Sequence, residues 1–117
     1  MTVRRIVANI AAESIAEVQK FYSELFGLEA IMDLGWIVTL ATHETAVIQM
    51  SILSEGGSGA PVPDLSIEVD DVDDVYRRAR EIGCKVVHDL TDESWGVRRF
   101  FIADPTGKLL NVLSHLR

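Results

Sequence analysis

The chain is poor in the residues that usually announce a chemistry. Its 117 residues include one cysteine, Cys84. That excludes an internal disulfide and suits a reducing cytoplasm. There are three histidines, His43, His88 and His115. Nothing in their spacing resembles a chelating pair, and each reads as an ordinary surface or edge histidine. Lys and Arg total 11 against 18 Asp and Glu, a net charge of −7. Nucleic acid binding needs clustered basic residues, so this balance argues against such a partner. It would attract a cationic small molecule, and it also keeps a protein soluble. No apolar run is long enough to cross a bilayer, so no membrane association is expected. The opening MTVRRIVANIAAES places two arginines before a short apolar run, as a leader would. That run turns polar at once and reads better as a strand. Neither a Gly-x-Ser-x-Gly elbow nor a phosphate loop occurs. Cys84 follows Gly83 at the end of a helical stretch, where a thiol is not activated, and reads as packing.

What is present is pattern. Two apolar-rich runs, Val97 to Ala103 and Lys108 to Ser114, flank Asp104-Pro105-Thr106-Gly107. Proline and glycine at these offsets make a tight turn, so a β-hairpin is expected. Upstream, Val3 to Ile10 alternates as a strand, with Arg5, Val7 and Asn9 on one face and Ile6, Ala8 and Ile10 on the other. Ser14 and Glu17 form a capping box for a helix from Ile15 to Phe26, with an apolar stripe of Ile15, Val18, Phe21, Tyr22 and Leu25 and a C-cap at Gly27. Strands follow at Leu28 to Met32, Trp36 to Ala41 and Ala46 to Leu53, with turns at Asp33 to Gly35 and Thr42 to Thr45. Ser54 to Pro63, SEGGSGAPVP, reads as a flexible linker. The order then returns. Asp64 to Val69 is a strand, Val72 to Ile82 a helix capped near Asp71 and ended by Gly83, Lys85 to Leu90 a strand, and Thr91 to Ser94 a loop before the hairpin. The fold class is therefore α+β, a single domain over 1–117 made of two β-α-β-β-β modules, about 1–54 and 63–117. Two such modules, each covered on one face, would close their bare faces around a cleft, the default binding site.

The repeat, with Phe21-Tyr22, Leu25-Phe26-Gly27-Leu28, Val69-Asp70-Asp71-Val72-Asp73 and Asp104-Pro105-Thr106-Gly107, resembles the vicinal oxygen chelate superfamily of glyoxalases, bleomycin-resistance proteins and extradiol dioxygenases. Trp95-Gly96-Val97-Arg98-Arg99-Phe100 looks most like the bleomycin-resistance-type branch. The resemblance implies a cupped mixed-sheet barrel and, often, a homodimer. Metal-dependent members hold a divalent ion with side chains from the first and last strands of each module. Those positions fall here on Val7, Gln49, Asp64 and Asn111. One carboxylate, two amides and a hydrocarbon are a poor set for a catalytic transition metal. No metal and no other cofactor is expected, the alternative being a divalent ion in an unusual site.

The same resemblance turns Asn9, Gln49, Asp64, Glu68, Arg99, Phe101 and Asn111 toward the cleft, while Arg98, Phe100 and Ile102 point away. Arg99 is placed to pair with Asp64 or Glu68. Trp95, beside Gly96, matches a ligand-stacking position of the bleomycin-resistance branch, whereas Trp36 reads as packing. The functional expectation is a metal-independent protein that binds, and sequesters, a planar or cationic small molecule. It has no assigned catalytic residue. The alternatives are a glyoxalase-like lyase, isomerase or dioxygenase with an atypical metal site, and an interaction module whose cleft is filled by its own side chains.

Overall fold

A computed structural model describes residues 1–42 and 49–116. The elements run β1 (Val3–Ala11), α1 (Ile15–Phe26), β2 (Glu29–Asp33), β3 (Ile37–Ala41), β4 (Gln49–Leu53), β5 (Leu65–Val69), α2 (Val72–Glu81), β6 (Lys85–Asp92), β7 (Val97–Ala103) and β8 (Leu109–His115). The expected turn at Thr42 to Thr45, the start of the fourth strand at Ala46, and His43 lie wholly or partly outside the described residues. No described helix is long and apolar enough to cross a membrane.

The chain forms two compact units, Val7–Val62, and Met1–Ile6 with Pro63–Arg117. In the first, the strands are ordered β2-β3-β4-β1, antiparallel except for the parallel pair β1·β4. In the second, β6-β7-β8-β5 repeats that order, with β5·β8 parallel and the head of β1 lying beside β5. The repeat is thus one of topology: in each unit a helix links two strands, and the first strand pairs in parallel with the last.

Both helices start where a side chain can satisfy a free backbone N–H. Ser14 Oγ accepts from the Glu17 N–H at 3.4 Å, and Asp71 Oδ1 accepts from the Asp74 N–H at 3.1 Å. α1 stops at Gly27, in the left-handed region at φ 70°. α2 stops in a Schellman arrangement, with Gly83 N–H donating to Arg80 O and Cys84 N–H to Ala79 O. Its packing face is Val72 and Ala79, which join Val69, Phe100 and Val112 in a core that Tyr76, Cys84 and Ile102 complete. Phe100 is fully buried and meets Tyr76 edge-on at 5.1 Å. The α1 stripe is narrower than its periodicity suggests. Ile15, Val18 and Tyr22 pack on Leu28, Val38, Leu40 and Ile52, but Phe21 and Leu25 are 55% and 62% exposed.

Two further expectations change. Ser54–Pro63 is a hydrogen-bonded turn, not a flexible linker. Gly56 N–H donates to Ala60 O, Ala60 N–H to Gly57 O, and Gly59 N–H to the Glu55 carboxylate. Gly56 and Gly57 are buried, and Pro63 is fully so. Strand β6 also runs on through Thr91 and Asp92, which pair with Arg99 and Arg98 after two register shifts around His88. These irregularities absorb the extra residues, and the Arg98–Asp92 ion pair, 2.8 Å, holds the extension.

The hairpin turn is built on one carboxylate. Asp104 Oδ1 accepts from the Thr106 N–H, the Thr106 hydroxyl and the Lys108 N–H at 2.8, 2.7 and 2.9 Å. Gly107 N–H closes the turn onto Asp104 O with φ at +86°. The Thr106 hydroxyl, followed by the Lys108 N–H, holds this carboxyl below its ordinary value. Its stabilisation is therefore present above the unfolded carboxylate range and is lost as pH falls through the lower folded value. In Asp104→Asn the fall in melting temperature on acidification is expected to be shallower than in the parent. A parallel dependence would show that the turn does not carry it.

Candidate functional site

Hairpin β7–β8 has two faces, and strand alternation separates them. Phe100 and Ile102 face the α2 core, and Arg98 reaches Asp73 on α2 at 3.0 Å. Val97, Arg99 and Phe101 therefore lie on the helix-free face, as the alternation requires. Register sets Phe101 opposite Asn111 and Arg99 opposite Leu113 on β8, with Ser66 and Glu68 of β5 opposite the same two β8 residues. Six predicted residues, Asp64, Glu68, Trp95, Arg99, Phe101 and Asn111, thus belong to this one unit.

Arg99 is 2% exposed. The ion pair expected with Asp64 or Glu68 is made instead with Glu93, whose Oε2 accepts from Arg99 Nε at 2.9 Å and lies 2.6 Å from Nη2. The reason is local. Glu93 N–H donates to Val97 O and Gly96 N–H to Glu93 O, a tight turn that folds Glu93 back over the start of β7. The guanidinium also lies over two rings, 4.8 Å from the Trp95 centroid and 4.7 Å from that of Phe101. Burial pushes the Arg99 pKa down, and the Glu93 charge opposes that shift. The guanidinium nevertheless stays protonated.

His88 is not a plain edge histidine. Its ring meets Phe101 at 5.2 Å, and its Nε2 is buried without a hydrogen-bond partner, 3.8 Å from Glu93 Oε2. On the other side of Phe101, Asn111 Nδ2 donates to Ser66 Oγ at 3.1 Å, while Asn111 Oδ1 is buried without a partner. Glu93 and His88 are the members that sequence reasoning misses. An acidic residue beside the Trp95-Gly96 pair was the available signal for Glu93.

Asp64 and Glu68, the acidic residues expected at the cleft, are engaged elsewhere. Asp64 Oδ2 accepts from the Leu109 N–H at 2.8 Å. Glu68 takes Arg5 Nε on one oxygen at 2.7 Å and His115 Nδ1 on the other at 2.8 Å. Burial raises the Glu68 pKa, but the His115 hydrogen bond and the Arg5 charge outweigh it, and the carboxyl rests below its ordinary value.

Val7, Asn9 and Gln49 belong to the other unit. Val7 is buried and Asn9 is half-buried, in register with Ser51. Gln49 is half-buried opposite Ala41. Ser51, opposite Asn9, makes a buried hydroxyl pair with Thr39 at 2.7 Å. Trp36 is half-buried, and its carbonyl accepts from the Ser54 N–H.

The donors at the four family metal positions do not fit a divalent transition metal. Val7 has none, Gln49 and Asn111 offer neutral amides, and the Asp64 carboxylate already serves a backbone N–H. Among the described residues no group of three or more His, Cys, Asp or Glu could hold an ion.

No curated protein matches the sequence. Solved structures share its fold. A benzaldehyde dehydrogenase structure from Legionella pneumophila matches with a TM-score of 0.78 at 15% identity, covering 95% of this chain and 99% of that one. A glyoxalase/bleomycin resistance protein/dioxygenase superfamily member from Vibrio splendidus gives 0.69 at 20%, over 97% and 99%. A Mn(II)-bound glyoxalase from Novosphingobium aromaticivorans gives 0.67 at 16%, over 99% of this chain and 39% of that one. The family model of the Glyoxalase/Bleomycin resistance protein/Dioxygenase superfamily matches residues 4–112, and the chain belongs to that superfamily.

Proposed function

We propose that this protein binds a planar small molecule without a metal, on the helix-free face of the unit that carries the β7–β8 hairpin. The observation that supports this most directly is Asn111. It is 9% exposed, and its carboxamide oxygen has no hydrogen-bond partner. A buried, unsatisfied polar atom costs about 1–3 kcal/mol, and a ligand N–H or O–H would recover that. Trp95, held against the Arg99–Phe101 stack, supplies the flat apolar wall. Glu68 on β5 and Asp64 just before that strand belong to the same unit. The Trp95 to Phe100 stretch favours the bleomycin-resistance-type branch, and the one half-buried cysteine suits a reducing cytoplasm.

The reading is tested by screening planar compounds against the Trp95 indole and Asn111 side-chain amide signals in ¹H–¹⁵N spectra. Asn111→Ala is expected to weaken any hit at least about tenfold, the weight of a hydrogen bond of about 1.4 kcal/mol. Hits that bind Asn111→Ala equally would remove the site, and a metal requirement for binding would remove the metal-free mechanism.

We also propose a homodimer through α1 and β2. Phe21, Leu25, Phe26, Ile31 and Met32 are all at least 38% exposed there. Leu25→Lys is expected to halve the mass measured by light scattering. A monomeric parent would refute the dimer.

A further inference from the structure

We propose that His88 is a proton sensor for this site: charging its imidazole gives Glu93 Oε2 a second cation, loosens its grip on Arg99 and shifts the guanidinium against Trp95. Only the functional consequence, weaker ligand binding on acidification, rests on the reading above.

The geometry carries the chain of contacts one atom at a time. His88 Nε2 lies 3.8 Å from the same Glu93 oxygen that Arg99 holds through Nε and Nη2. Neutral His88 leaves that carboxylate to Arg99, and the cluster of Glu93, Arg99 and His88 is electrically balanced. Protonated His88 adds a positive charge where Arg99 is already 2% exposed. Two cations must then share one carboxylate, with Phe101 in contact with both of them. In so enclosed a place the excess charge is poorly screened, so the weaker member of the pair moves. Arg99 is the group that touches Trp95, and the indole therefore reads the change.

The charged and titratable groups around His88 come from each neighbouring element. β7 contributes Arg99, and the turn before it contributes Glu93. β6 itself contributes Asp89, the next residue in the strand. From α2, Tyr76 donates to Asp89, and Arg80 donates to Tyr76. Glu93 is the anion that meets Nε2 itself.

The test is a pH titration of the whole protein by NMR, without ligand, following the imidazole Cε1–H signals and the indole N–H signals, with Trp36→Phe to assign Trp95. The Trp95 indole is expected to move through one titration whose midpoint equals that of His88. The shift should survive His115→Gln and His43→Gln and vanish in His88→Gln. In Glu93→Gln the imidazole should still titrate and the indole should no longer follow it. An indole that is silent, that follows another histidine, or that still responds in either the His88 or the Glu93 variant would overturn the proposal. The wild-type comparison of midpoints decides the matter even where a variant fails to fold. A failed ligand screen would refute the binding reading and leave this result untouched.

Discussion

Glu93→Gln is expected to cost about 3–5 kcal/mol of folding stability, measured by urea unfolding at neutral pH. The glutamine keeps the shape of the side chain but removes the charge that balances Arg99. The two side chains are 3% and 5% exposed, so water cannot replace the lost partner. A domain of this kind has roughly 5–15 kcal/mol in total, and the loss is a large part of it. Exposed pairs behave differently. Lys20 and Glu24 are 3.9 Å apart but 74% and 70% exposed, and Glu24→Gln is expected to change stability by no more than about 0.5 kcal/mol. The double variant Glu93→Gln with Arg99→Met should recover most of the loss, because a methionine fills the same space without a charge to bury. If the single variant costs no more than Glu24→Gln, the pair is not enclosed in solution as described.

Gly56→Ala is the second large effect. An added Cβ would sit 2.0 Å from Pro61 O and 2.8 Å from its carbon, both backbone atoms that cannot swing aside. The turn must open, and with it the Gly56–Ala60 hydrogen bond of 2.7 Å. A loss of at least about 3 kcal/mol is expected, at the upper end for overpacking. Gly59, three residues on, is the control. It has φ at +77° and nothing within 4 Å of its missing Cβ, so Gly59→Ala carries only the left-handed backbone penalty of about 1–2 kcal/mol. Thermal unfolding of the two variants side by side separates collision from backbone strain. Equal losses would mean that the Pro61 contact is not the reason for glycine at 56.

The contrast between these residues explains what could be read from the chain and what could not. Ser14, Asp71 and Gly27 signal helix ends because capping depends on neighbours within four residues. The alternation of Val97, Arg99 and Phe101 against Arg98, Phe100 and Ile102 is legible for the same reason, since strand geometry repeats every second residue. The family spacing across the turn puts Asn111 and Phe101 on one face, and the β7·β8 register sets them opposite each other. The partner of Arg99 could not be read from the chain. Asp64, Glu68 and Glu93 are equal candidates on charge, and only the turn from Glu93 to Val97 decides among them. Likewise SEGGSGAPVP has the composition of a flexible tether. The buried state of Gly56 depends on where Pro61 comes to lie, and composition does not record that. The role of His88 depends on register shifts in β6 that no local pattern announces.

Strand β1 has a consequence for how the protein is made. Its first residues group with a partner strand that is far away in the chain: Arg5 meets Glu68, and the Thr2 N–H meets the Asp70 carboxylate, across 63 and 68 positions. A ribosome adds about 5–20 residues per second, so these first residues wait roughly 3–14 seconds before their partners exist. Residues 7–62 can begin to settle during that interval, whereas the head of β1 stays an unpaired strand edge in the nascent chain. Arg4 and Arg5 put two like charges on this waiting edge, and charge on an edge disfavours pairing with another chain.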